Sequence, residues 1–242
     1  MDSSPVRPPQ DAQTIRRLRL GIGVVGIALP FVLTVGHALV TGTPTLLTSI
    51  SAYYYTELRD VFVGSMCAVG VFLISYRQRK VDDLLGTIAG VLAIAVALFP
   101  AATHDPGGPV TATDVLVGRV HQVSAAALFV ILAIFCLVLF PRTDPRIGEA
   151  RTRVRVGLYR ACGGVILAAI ALAVASNALP ESTRDTLRPL FWCEAVAVLA
   201  FGTAWFVKGE AMFRYAREAR RREHDGPARA ADPAPSPAPG AP

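Results

Sequence analysis

Charge is scarce in this chain. Asp, Glu, Lys and Arg make up 17% of its 242 residues while apolar residues reach 52%, against about 25% charged and about 45–50% apolar in an ordinary soluble domain. The deficit is uneven: apolar residues come in long blocks separated by short charged stretches, which excludes a soluble enzyme built around a single aqueous-facing core. Cysteine is sparse too. Cys67, Cys136, Cys162 and Cys193 all fall inside apolar blocks and form no CxxC pair, so neither a zinc site nor a disulfide framework is indicated. HExxH, a paired HxxxH and GxSxG are also missing, and with them the usual signatures of membrane zinc hydrolases and serine hydrolases.

What is present is a set of six apolar blocks at about residues 20–40, 58–76, 84–100, 115–140, 156–179 and 190–207. A hydrocarbon core of about 30 Å takes about 20 helical residues to cross, within a range of about 17–25. Lipid offers the backbone no partners and the blocks lack the alternation of barrel strands, so each predicts a helix. The first block is too long for the apolar region of a signal peptide and precedes no small-residue cleavage pattern, so it reads as an uncleaved helix. The expected fold is all-α: a polytopic bundle of six transmembrane helices over residues 15–210. Residues 1–14 and the Pro/Ala-rich tail 225–242 are too poor in apolar residues to order themselves. Residues 211–224 read as a basic helical extension that touches anionic headgroups.

The basic residues fix an orientation. Twenty of the 24 Lys and Arg fall before the first block, between the second and third, between the fourth and fifth (counting Arg160 just inside the fifth), or after the sixth. Arg59, Arg119, Arg184 and Arg188 alone remain for the other side. The positive-inside rule then puts both termini in the cytoplasm of a cell bounded by a plasma membrane. The net charge of +6 is therefore a topology signal, and no nucleic-acid partner is expected.

Gly21-Ile22-Gly23-Val24-Val25-Gly26 matches the dinucleotide fingerprint GxGxxG, but no strand precedes it and no βαβ unit surrounds it, so no nucleotide is expected. Glycines there, and at Gly86 and Gly90, predict close helix packing within the chain or against a second copy.

Five polar residues fall at one depth near the outer ends of the blocks: His37, Asp60, His121, Asn177 and Glu194. The cytoplasmic halves show no comparable set in the sequence. Ionisable groups in a bilayer cost roughly 2.5–3.5 kcal/mol at a helix centre and usually face the bundle interior. Small neighbours one turn away (Gly64 for Asp60, Ser124 for His121, Ala197 for Glu194) support that facing. Thr43–Glu57 is too polar to span and too apolar for a free loop, and its Tyr53, Tyr54 and Tyr55 suit a membrane–water interface. The expectation is a polar pocket open to the outside, formed by Ser49, Ser51, Tyr54, Arg59, Asp60, His121 and Glu194. Seven carboxylates against four arginines on that side favour a cation or a zwitterionic headgroup over a bare anion.

The run Ser49–Thr56, followed by Arg59–Gly64, Leu98-Phe99-Pro100, His121-Gln122-Val123-Ser124-Ala125 and Phe191-Trp192-Cys193-Glu194, resembles a group of bacterial six-span membrane proteins classed only as a domain of unknown function. More distantly the chain is similar to the DRAM-like and GPI-anchor-remodelling six-span proteins of eukaryotes. The resemblance covers about residues 15–210; it implies a six-helix bundle and a lipid-related role, and supplies no reaction.

The expected function is thus a membrane protein that engages lipid headgroups or another small ligand, with membrane lipids as its partners and no catalytic residue assigned. One alternative is a metal-dependent membrane hydrolase, whose zinc would draw on His37, His104 and His121. A second is a small transporter, although such sites lie nearer the midplane and often come with inverted repeats. No cofactor is otherwise expected.

Overall fold

A computed structural model describes residues 10–75, 80–101, 111–143 and 149–230, the side chains of 10–16 and 212–230 excepted. Among the described residues there is no strand. The helices are α1 (Gln10–Thr41), α2 (Arg59–Ser75), α3 (Lys80–Leu98), α4 (Ala112–Arg142), α5 (Glu149–Ala175), the short α6 (Glu181–Leu187) and α7 (Pro189–Ala230), with a 3-10 turn at Ser51–Tyr55 before α2.

Local chemistry explains the boundaries. Gly42, at φ +70°, takes the left-handed conformation that ends α1. Pro100 follows the end of α3, where it can neither continue nor donate to a helix. Thr111 and Asp114 form a reciprocal capping box at the start of α4, satisfying two amides that the helix leaves open. Near the end of α4 the turn Phe135–Leu139 widens to π geometry, the Phe140 amide donating to the Phe135 carbonyl. Pro141 accounts for this widening, since its ring crowds the Leu137 carbonyl one turn back and offers it no N–H.

Among the described residues five helices are long and apolar enough to cross a membrane: Arg17–Thr41, Lys80–Leu98, Ala112–Arg142, Glu149–Ala178 and Pro189–Ala211. Large apolar side chains such as Leu39 (80% exposed), Val123 (69%) and Val174 (66%) cover the outside of the bundle, a surface suited to lipid. The chain is a helical membrane protein. Its second apolar block forms α2, whose 17 residues lie at the lower limit of spanning length. Helix also extends beyond the expected limits, into residues 10–14 and 225–230. Propagating an existing helix costs far less than nucleating one, so long packed helices carry polar flanks with them. Residues 1–9 and 231–242 lie outside the described set.

The six long helices form a closed ring in the order α1, α2, α3, α4, α5, α7, and α7 returns to α1. α1 and α7 run antiparallel, since Gly26 faces Gly202 while Gly209 lies beside Leu20. A Cβ on Gly202 would come 2.8 Å from the Ile27 amide nitrogen and 2.9 Å from the Gly23 carbonyl oxygen. The glycine run of the first block thus serves helix contact. Likewise a Cβ on Gly90 would lie 2.5 Å from the Gly70 carbonyl oxygen, which locks α3 to α2. One end of the ring interior is filled by Phe135, Phe140, Tyr159, Phe201 and Trp205, with Phe140 and Trp205 ring centroids 5.1 Å apart.

Backbone cannot yield as a flexible side chain can. Gly202→Leu should therefore part α1 from α7 and cost about 1–3 kcal/mol or more, read as a large drop in the thermal midpoint of the detergent-solubilised protein. Gly164→Ala, where an added Cβ meets nothing within 4 Å, should be neutral or stabilising by about 0.5–1 kcal/mol. Equal midpoints for the two variants would contradict this packing.

Candidate functional site

The segment between α1 and α2 folds back over one end of the ring as a roof. Its 3-10 turn is held from three directions. Ser49 Oγ accepts from the Ala52 amide at 3.0 Å and lies 3.3 Å from Ser51 Oγ. Glu194, one turn into α7, reaches across to accept from the Ile50 amide at 2.7 Å, and the Ser51 amide and hydroxyl face the same carboxylate. Tyr55 Oη donates to the Ala101 carbonyl at 2.7 Å. A remote carboxylate thus caps the start of a helical turn, where open amides and the local dipole favour negative charge.

His121 serves the end of α3. Its Nδ1 lies 2.7 Å from the Phe99 carbonyl oxygen, which orients the imidazole so that Nδ1 carries the proton when the ring is neutral. The Val96 carbonyl sits beside the same ring. That carbonyl would ordinarily receive the amide four residues on, and that residue is Pro100, which has none.

Beneath the roof lies a cavity of about 70 Å³. Ser51, His121 and Glu194 line it, and most of the remaining wall is apolar, including Leu29, Phe62, Ala125, Phe129 and Phe201. Three of the seven residues expected to form a pocket therefore meet at one cavity, and Ser49 supports them from behind.

The other three do not reach it. Asp60 is exposed in the first turn of α2, a correction to the inward facing that its small neighbours suggested. A helix N-terminus stabilises an acidic side chain there without any ligand. Arg59, also exposed, donates to the Tyr54 hydroxyl at 2.6 Å and lies 4.5 Å from that ring's centroid. Tyr54 and Arg59 thus form a surface pair beside the roof. Asn177 turns back onto the Ala173 and Val174 carbonyls of its own helix.

His37 is buried, 3.7 Å from the Glu57 carboxylate and edge-to-face with Tyr53 at 5.6 Å. Tyr53 is fully enclosed. Burial raises its phenol pKa above the ordinary value, so it stays neutral. Among the described residues no three His, Cys, Asp or Glu side chains gather closely enough to hold a metal ion. His37 and His121 have separate surroundings, and His104 lies outside the described residues.

A second buried polar set occupies the opposite end of the ring, where the sequence shows none. Arg19 and Lys208 are fully buried and Asp82 is 4% exposed. Lys208 Nζ donates to the Phe140 carbonyl at 2.9 Å and lies 5.7 and 5.6 Å from the Phe140 and Tyr159 ring centroids, a cation–π arrangement. The signal for Lys208 was its register: Glu194, Val198, Phe201, Trp205 and Lys208 recur every three or four residues and so share one face of α7.

Removing the remote cap tests the roof. Glu194→Ala should deprotect the Ile50 and Ser51 amides to hydrogen exchange by about tenfold or more, the consequence of losing bonds to a charged group worth about 1.5–3 kcal/mol. Glu194→Gln keeps an acceptor oxygen and should fall between. Unchanged protection at Ile50 in the alanine variant would show that the cap does not hold the turn.

The chain matches no protein-family model, no curated protein and no solved structure, so its function is argued from this geometry.

Proposed function

We propose that the chain is a six-span protein of the plasma membrane with both termini cytoplasmic, and that its cavity opens to the outer face and holds the amine end of a zwitterionic lipid headgroup. The carrying observation is the meeting of Ser51, His121 and Glu194, from three separate elements, on one otherwise apolar cavity.

Size and chemistry favour that ligand. A cavity of about 70 Å³ exceeds the ~10–15 Å³ that a single water needs, so it has room for a small group such as an ammonium with its methylenes. Apolar and aromatic walls suit the methylenes and the cation. Glu194 supplies the opposite charge, and Ser51 and His121 supply hydrogen-bonding groups. A bare anion would find the Glu194 carboxylate at the wall.

The topology has separate support. α1 and α7 are antiparallel, so an α1 that enters from the cytoplasm pairs with an α7 that returns there. This agrees with the Lys and Arg distribution, and it requires α2 to cross despite its 17 residues.

Two measurements test the proposal. In a background with the four native cysteines replaced, Ser182→Cys should label with an impermeant maleimide in intact cells, and Ala150→Cys only after lysis. The reverse pattern would overturn the orientation. Native mass spectrometry should show phosphatidylethanolamine retained in preference to phosphatidylglycerol. Ala125→Phe, which fills the cavity, should abolish that preference, and Glu194→Gln should reduce it about tenfold, as expected for a lost charge-assisted contact. Retention unaffected by both variants would refute the site.

A further inference from the structure

A second groove, of about 530 Å³, runs between the start of α5 and the middle of α7, at the Lys208 end of the ring. Arg151, Val154 and Arg155 form its α5 wall, and Phe206, Val207 and Glu210 form its α7 wall. We propose that this groove is a binding site for an anionic phospholipid, with the phosphodiester held by Arg151 and Arg155 and the glycerol and upper acyl carbons lying on Val154 and Phe206.

The two walls differ in the way such a molecule requires. Arg151 and Arg155 are one helical turn apart and so project on the same side of α5. Arg151 is exposed, and Arg155 is half-buried with its Nη2 3.4 Å from Thr152 Oγ1. Val154 is 73% exposed and Phe206 is 38% exposed, which leaves apolar surface directly beside the cations. The guanidinium group matches phosphate oxygens in a fork geometry that a lysine cannot supply.

Glu210 offsets one of the two positive charges, and the remainder equals the single charge of a phosphodiester. A zwitterionic lipid would add an ammonium to a groove that is already cationic. The groove lies at the opposite end of the ring from the Glu194 cavity, so this inference stands apart from the amine site. It takes only its leaflet, the cytoplasmic one, from the proposed orientation. Anionic lipids concentrate in such a leaflet, where each basic residue near the surface contributes about 1 kcal/mol.

The test uses the full chain in nanodiscs. The chain has two tryptophans; with Trp192→Phe, the fully buried Trp205 gives a constant background, and Val154→Trp, at an exposed position of the groove, supplies the reporter. Lipids brominated on the upper acyl carbons should quench the groove reporter at lower mole fraction when they are phosphatidylglycerol than when they are phosphatidylcholine. Arg151→Gln and Arg155→Gln should each reduce that preference about fivefold. Arg153→Gln removes the same charge from an exposed position outside the groove and should leave the preference intact. Because Arg151 is exposed, its variant folds independently of any role for Arg155.

Equal loss in all three variants would reduce the effect to general surface charge and overturn a defined site. So would an unchanged preference in Arg151→Gln and Arg155→Gln. Displacement of the brominated lipid by soluble glycerol phosphate at equal concentration would identify a free phosphate compound as the occupant and overturn the lipid assignment.

Discussion

Open backbone ends govern this structure. A bundle that presents apolar side chains on its outside gives the ends of its helices little access to water, and a buried amide or carbonyl left without a partner costs about 1–3 kcal/mol. Buried polar side chains meet that constraint at three points. Glu194 accepts from the Ile50 amide at the start of the roof turn. His121 engages the Phe99 carbonyl where Pro100 stops α3. Lys208 donates to the Phe140 carbonyl immediately before Pro141. Two of the three act on the carbonyl of the residue just before a proline, where the helix ladder is already disturbed, because each proline leaves a carbonyl open four residues back, at Val96 and at Leu137.

These caps are effective because the ring holds them in place. Glycine contacts bring α1 against α7 and α2 against α3 at backbone distance. On α7, Glu194 and Lys208 are 14 residues apart, or about 21 Å at 1.5 Å per residue. Phe201 and Trp205 fill the stretch between them, packed at 5.8 Å, and Trp205 continues onto Phe135 and Phe140. The cavity beneath the roof ends at Phe201 and Leu132, where this aromatic layer starts. One helix face thus carries two polar ends and the apolar barrier that separates them.

Much of this was legible in the sequence, and the exceptions have physical causes. Long apolar blocks without the alternation of barrel strands predict helices, because a helix satisfies its own backbone in lipid. Glycine spacing predicts contacts because a missing Cβ permits only close approach or unusual φ, and a helix interior leaves close approach. His121 and Glu194 were picked out because rare polar residues at one depth imply common surroundings, and Ser51 because it lies in the segment Thr43–Glu57, too polar to span and too apolar for a free loop. The same reasoning failed for Asp60, because one turn of small neighbours does not separate a helix contact from a helix start, where an acid is stabilised by the dipole alone. It also missed Arg19, Asp82 and Lys208. Cations at the end of an apolar block read as flanking charge, and no count of loop residues distinguishes a lysine in water from one enclosed by Phe140 and Tyr159.

Capping and ligand binding make different demands on Glu194, and one carboxylate can meet both. It offers about four lone-pair positions; the Ile50 amide uses one on Oε2, the Ser51 amide and hydroxyl take up to two more, and the carboxylate also lines the cavity. An ammonium bound there in the proposed complex would add an opposite charge without displacing the amides, so ligand and roof would stabilise the same ionised form. Binding and roof closure would then be linked, each strengthening the other by the same free energy. Arg59 is drawn onto Tyr54 at the surface, so in the proposed complex the carboxylate's charge would be met by the ligand.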